Sequence, residues 1–201
     1  MKDEKKHWRD IFMNIAGIDY SLRGPAICTF AGDYETEFCF SKCSFYFLTD
    51  TKKYCKTWNS NIHGECFSDY DADPERYETI ADWALDKLKG VDHISLEGYA
   101  FSSVSNRLFQ IAENTGLLKY KIYQNRTPLD VIPPSQVKKF ATGKGNANKE
   151  KMIESFEEET SIDLRKILNV TGKKPGPVSD IVDSYYICKL LYTQLQKSKL
   201  S

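Results

Sequence analysis

The chain has 201 residues, with 28 Lys and Arg against 28 Asp and Glu, 41% hydrophobic and 13% aromatic residues, 11 Gly and 7 Pro. That is enough apolar material for one domain with a buried core, and it excludes collagen-like, low-complexity and disordered chains. A formal net charge of zero gives no whole-surface attraction to nucleic acid, and the longest apolar runs, Ile15 to Ile18 and Tyr185 to Cys188, fall far short of the ~20 residues of a membrane span.

Met1 to Asp10 is charged and has no apolar stretch of the secretory kind. Residues 1–13 therefore read as an N-terminal extension of a soluble, intracellular protein, residues 14–196 as one domain, and residues 197–201 as a tail. Asn14 to Asp19 is an apolar run that ends on a carboxylate, and Gly24 to Ala31 resumes the apolar pattern, which predicts two strands joined by a tight turn. Tyr34 to Phe40 and Ser44 to Leu48, rich in aromatics, extend these into a meander of three or four strands. Thr49 to Asp73 is polar without a clean period and reads as an insertion or long loop.

Asp73-Pro74-Glu75 opens a helix, with Asp73 as N-cap and Ile80, Ala81, Ala84, Leu85 and Leu88 on one stripe, and Gly90 stops it. Val91 to Glu97 alternates like a strand and again ends on a carboxylate; Ser105 to Tyr120 reads as a helix and Thr127 to Ile132 as a strand. Pro133-Pro134-Ser135 precedes a short helix that Gly143-Lys-Gly145 breaks, Asn148 to Phe156 forms another, and Ile162 to Leu168 adds a turn or two. The Lys173 to Val178 breaker then leads into a final helix from Ser179 to Gln196. Strands first, then alternating helices and strands, predict an α/β fold: a mixed sheet of about five strands flanked by helices.

Four acids stand out by position: Asp19 and Glu97 at strand ends, and Asp180 with Asp183 on one face of the last helix by their i, i+3 spacing. Each alone reads more simply as a turn residue or helix cap. Gathered together, they would repel one another and raise their pKa values, a repulsion that hard divalent cations relieve. Oxygen donors without His favour Mg²⁺ or Mn²⁺ over Zn²⁺, and two such ions ~4 Å apart are able to activate water and stabilise the leaving oxygen of a phosphodiester.

Between Lys138 and Lys151 there are five lysines, Lys138, Lys139, Lys144, Lys149 and Lys151, against the single acid Glu150. Gly143 and Gly145 allow a backbone to approach a phosphate while the lysines neutralise it. A nucleotide-binding loop of the G-x-x-x-x-G-K-[ST] type fails here, because Asn148 and Glu150 stand where it needs Gly and Ser or Thr. His7, His63 and His93 have no nucleophile partner in sequence. Of the six cysteines, Cys39, Cys43, Cys55 and Cys66 with His63 have irregular spacing for zinc, so free reduced thiols are the default.

The segments Gly17-Ile-Asp19, Ser95-Leu-Glu97, Val137-Lys138 through Gly143-Lys-Gly-Asn-Ala-Asn-Lys149, and Asp180-Ile-Val-Asp183 occur in the order found in RuvC-type Holliday-junction resolvases. Over most of residues 14–195 the chain resembles that family, which has an RNase H-like fold. The resemblance implies that Asp19, Glu97, Asp180 and Asp183 are metal-binding catalytic acids and that Lys138 and Lys149 are the motif's two functional lysines. It further implies Mg²⁺-dependent hydrolysis of four-way DNA junctions by a homodimer with two ions per site, by in-line attack of water that leaves 5′-phosphate and 3′-hydroxyl ends. DNA contacts are expected at Lys138, Lys139, Gly143, Lys144, Gly145, Lys149 and, by stacking, Phe101. Two departures are visible. Tyr20-Ser21 follows the first Asp where the family has Pro-Gly, and Ala100 stands at the family's wedge position, with Phe101 one residue later. A broader branched-DNA nuclease, a hybrid-cleaving ribonuclease and a noncatalytic junction-binding module are the alternatives.

Overall fold

The computed structural model describes residues 12–33, 35–99, 107–171 and 176–200. Seven strands, β1 (Phe12–Asp19), β2 (Ala26–Asp33), β3 (Cys43–Thr49), β4 (Thr57–Trp58), β5 (Ile62–Cys66), β6 (His93–Glu97) and β7 (Leu129–Ile132), form one sheet in the order β4-β5-β3-β2-β1-β6-β7. β1, β2 and β3 are antiparallel neighbours, whereas β6 pairs parallel to β1 and β7 parallel to β6. The helices are α1 (Asp73–Lys87), α2 (Arg107–Gln124), α3 (Pro134–Thr142), α4 (Lys149–Thr160), α5 (Leu164–Ile167) and α6 (Pro177–Leu200). Single 3₁₀ turns lie at Phe40–Lys42 and Lys52–Tyr54.

β1 shows why the sheet is covered on both faces. Its burial is nearly continuous rather than alternating, as for a strand with helices on each side. Met13 and Ile15 enter a core shared with α4 and α6 that includes Phe30, Phe45, Phe156 and Tyr185. Ala16 and Ile18 enter a second core shared with α1 and α2, among Ile80, Ala84, Leu96 and Leu118. Side chains alternate along a strand, so Gly17 and Asp19 share the α6 face with Ile15. In β6, Ile94 and Leu96 belong to the α1/α2 core, which turns Ser95 and Glu97 towards α6.

α6 is buried almost all round: Val178, Ile181, Val182, Tyr185, Tyr186, Ile187, Cys188 and Leu191 are at most 1% exposed. It sits so close to β1 that a Cβ on Gly17 would lie 2.6 Å from both the Cys188 Cα and the Ser184 carbonyl oxygen. The β1 backbone and the α6 backbone are therefore in direct contact at this point.

Several expectations need correcting. Glu35 to Cys39 forms no strand; the chain turns back through the Asp33–Thr36 hydrogen bonds instead, with the Thr36 hydroxyl donating to Asp33 Oδ1 at 2.5 Å. The 49–73 stretch is no mere loop, since it carries β4 and β5 and extends the sheet to seven strands. β5 does alternate, with Ile62 and Gly64 buried, but a glycine at the inward position hides the period; a Cβ there would collide with the Tyr54 carbonyl and lie 2.6 Å from the Phe47 ring. Cys55 and Cys66 are not free thiols but form a disulfide with an S–S distance of 2.03 Å, which also removes both from any zinc set. Cys28, Cys39, Cys43 and Cys188 are free. Asp73 is the first residue of α1 rather than its cap, which is Ala72.

Candidate active site

Asp19 and Glu97 end adjacent parallel strands on the same face, and α6 brings its first turns against those ends. Ser184 and Cys188 touch Gly17, so Asp180 and Asp183, about one turn earlier, face Asp19, two residues further along β1. The four acids line one cavity of about 290 Å³ together with Ser21, Lys138, Lys149 and Met152. Asp180 is not a helix cap: α6 begins at Pro177, after Gly176 in the left-handed region (φ 53°).

Two lysines, Lys138 and Lys149, line the same cavity. Asn148 caps α4 by accepting the Lys151 N–H at 2.9 Å, which fixes Lys149 at the first helical position. The Lys149 ammonium donates to Ser179 Oγ at 3.1 Å and lies 3.7 Å from Asp180 Oδ1, and the Ser179 hydroxyl is 3.0 Å from the same oxygen. Lys138, on α3, lowers the pKa of both Glu97 and Asp183 by its charge. Lys139 and Lys144 are exposed outside the cavity, with no ion-pair partner among the described residues. Gly143 has a duty within the fold, as the left-handed cap of α3 (φ 77°), and Gly145 packs against the Ser135 carbonyl. Phe101 lies outside the described residues.

Electrostatics bind the four carboxylates into one unit. Burial pushes the Asp19 carboxyl well above the usual range, and the charges of Asp183, Asp180 and Glu97 push it further, against Lys149. Asp183 is pushed up to about 7, first by burial and then by Glu97. Glu97 and Asp180 are raised as well, chiefly by burial, with Lys138 and Lys149 opposing the rise in Glu97 and Lys149 and Ser179 opposing it in Asp180. Among the described residues, no three Asp, Glu, His or Cys side chains stand close enough together to hold an ion as placed, so the carboxylates would have to turn inward to do so. Their chemistry suits hard divalent cations: oxygen donors only, in a site that disfavours their uncompensated charge.

A pH dependence follows. A carboxylate whose folded pKa lies above its unfolded value makes the folded state bind more protons, so the metal-free protein loses stability as pH rises from about 4 through about 7. Asp183→Asn is therefore expected to raise the melting temperature of the chelator-treated protein at pH 8 by roughly 5 °C and to change it little at pH 4. Thermal unfolding of wild type and variant from pH 4 to pH 8 in the presence of chelator checks this.

No protein-family model and no curated protein matches the sequence. Solved structures do match. Thermus thermophilus RuvC aligns with a TM-score of 0.56 at 19% identity, over 94% of this chain and 96% of that one. T. thermophilus RuvC in complex with a Holliday junction substrate gives 0.59 at 17% identity, over the same shares. The fowlpox virus resolvase in complex with its substrate Holliday junction DNA gives 0.50 at 18% identity, over 91% of this chain and 99% of that one.

The fold is that of RuvC. Within this RuvC-like fold the four acids and two lysines singled out in the sequence meet at one cavity. The sequence did not point to Ser21, Gly24 or Ser179. Ser21, the second residue of the Tyr20-Ser21 pair after Asp19, closes the β1–β2 turn by accepting the Gly24 N–H at 3.0 Å. A Cβ on Gly24 would lie 2.7 Å from Asp180 Oδ2, so the turn abuts the acid cluster directly. The Ser-Asp pair at 179–180 was the available signal for Ser179, because a hydroxyl beside an acid in a first helical turn is placed to serve it.

Proposed function

We propose that this protein is a divalent-metal-dependent, structure-selective endonuclease that resolves four-way DNA junctions. The observation that carries the reading is the convergence of Asp19, Glu97, Asp180 and Asp183 with Lys138 and Lys149 on one cavity in a RuvC-like fold. Asp19, Glu97, Asp180 and Asp183 would hold the ions. Mg²⁺ or Mn²⁺ held there, as two ions, would supply positive charge to offset the carboxylates beside a bound phosphodiester and would lower the pKa of a water in the site. Lys149, kept in place by Ser179, faces the phosphate and balances charge that develops on its oxygens. Lys138 does the same from the Glu97 side, and Lys139 and Lys144 take neighbouring phosphates without reading sequence.

Paired incision needs two sites related by symmetry, and a homodimer supplies them. α2 offers a face for it: Phe109, Tyr120 and Tyr123 are 73%, 58% and 77% exposed on one stripe, and Gly116 between them has open space beside it. The test is cleavage of four-way, fork, flap and RNA/DNA hybrid substrates under Mg²⁺ titration, with sedimentation for the dimer. The expected result is Mg²⁺-dependent, symmetric nicking that is fastest on four-way junctions. Preference for hybrid or fork moves the activity to another substrate of the same fold, and tight binding without cutting at any Mg²⁺ concentration leaves a binding module.

A further inference from the structure

Next to the acidic cavity lies a second one, of about 330 Å³, which shares Ser21, Lys149 and Asp180 with the first. Its far wall is Arg23 together with Thr49, Thr51 and Tyr54, residues at the end of β3 and the start of the segment that leads to β5. We propose that this second cavity is a binding subsite for a flanking phosphodiester of the cleaved strand, and that this wall is what the 49–66 segment contributes to the protein. The proposal rests on the nuclease reading and extends it by assigning the direction in which the strand leaves the acid cluster.

Three features argue for an anionic backbone as the occupant. Arg23 is exposed and has no acidic partner among the described residues, so its guanidinium is available for the two-pronged contact that suits a phosphate. Hydroxyls supply further donors. Ser21 Oγ accepts the Gly24 N–H and Thr49 Oγ1 accepts the Thr51 N–H at 3.1 Å, which leaves both hydroxyl protons to donate, and the exposed Thr51 on the same cavity supplies a third hydroxyl. The segment that carries this wall is also one-sided in charge: residues 49–66 hold Lys52, Lys53 and Lys56 against two acids, Asp50 and Glu65, and Glu65 is paired with Lys87 at 2.9 Å. Asp180, on the shared border, is offset by Lys149.

The wall is held in place rather than floppy. The Cys55–Cys66 disulfide ties the segment to the end of β5, and the Gly64 N–H donates to the Lys56 carbonyl at 3.0 Å. Lys53 and Lys56 lie over the Tyr54 and Trp58 rings at 4.7 and 4.0 Å. Such preorganisation lowers the ordering cost of taking up a strand.

The test compares wild type, Arg23→Ala, Arg23→Lys and Thr51→Ala, with Lys166→Ala, an exposed lysine on α5, as the generic charge control. Four-way junction binding is measured against salt in the Asp183→Asn background, and cleavage in the otherwise native protein. Arg23→Ala should weaken binding about 5- to 10-fold at low salt and reduce the slope of log K against log salt by roughly 0.7–0.9, the contribution of one phosphate contact. Arg23→Lys should restore the slope, and Thr51→Ala should weaken binding a few-fold. At saturating junction, kcat should stay within about twofold of wild type, so that the loss appears in KM. Equal affinity and slope for wild type and Arg23→Ala, or an equal loss in Lys166→Ala, overturns the subsite and leaves the nuclease reading intact. If the protein binds junctions but does not cut them, the nuclease reading fails and the Arg23 comparison still decides the subsite. If it binds no branched DNA, both fail.

Discussion

Asp19→Asn and Asp183→Asn are expected to abolish junction cleavage, by a thousandfold or more on an order-of-magnitude basis, while leaving junction binding within a few-fold of wild type. The asymmetry has a physical origin. Each substitution keeps the size of a side chain at the floor of the cavity and removes one of the negative charges that make the site attractive to a divalent cation. On the proposed reading, DNA binding relies instead on the lysines Lys138, Lys139, Lys144 and Lys149, and fewer acids in the cavity make the field there more favourable to phosphate, not less. A gel-shift series run beside a Mg²⁺ titration of cleavage separates the two effects. Undiminished cutting by either variant removes that residue from the metal site.

The second large effect is expected where no chemistry occurs. Gly17→Ala adds one methyl group, yet that carbon has no free space: it would lie within 2.6 Å of the Cys188 Cα and the Ser184 carbonyl oxygen, both of them backbone of α6. A side-chain neighbour is able to rotate away, but a helix backbone moves only as a whole, and α6 is packed on nearly every face. The substitution should destabilise the protein by about 3 kcal/mol or more, seen as a lower midpoint in urea. In whatever fraction still folds, cleavage should fall as well, because any retreat of α6 from β1 carries Asp180 and Asp183 away from Asp19. A stability loss below about 1 kcal/mol would show that the two backbones are not locked together at Gly17.

The long, strongly patterned elements were legible in the sequence. α1 and α6 were visible from apolar spacing and breakers, and β1 and β6 from apolar runs that end on acids. The acid and lysine set came from ordered short motifs, and no single carboxylate would have stood out on chemistry alone. The edge of the sheet was not legible, for identifiable reasons. β4 has two residues, too few for any period, and β5 has a glycine at its inward position, where a Tyr54 carbonyl occupies the place of a side chain. The Cys55–Cys66 pairing was hidden by cysteine spacing that fits several partners: the β3–β5 register sets Cys66 opposite Thr49, and the 3₁₀ turn at Lys52–Tyr54 returns Cys55 to the Thr49 carbonyl. Tyr34 to Phe40 misled by composition: Phe38 and Phe40 are core residues that pack on Phe30, Phe45 and Tyr185 from an irregular backbone. Aromatic content there reported burial rather than extended pairing.

The acids stand on the ends of central strands and on a helix sunk into the interior, none of them on a free-standing loop. A centre mounted that way has little freedom to mould itself around a target. Whatever adjustment is needed for the scissile bond to reach it has to come from the DNA, and a stiff uniform duplex resists such bending far more than a branch point whose arms already pivot. On the proposed reading, discrimination in favour of junctions then begins with the immobility of the protein itself, before any contact to a base is made.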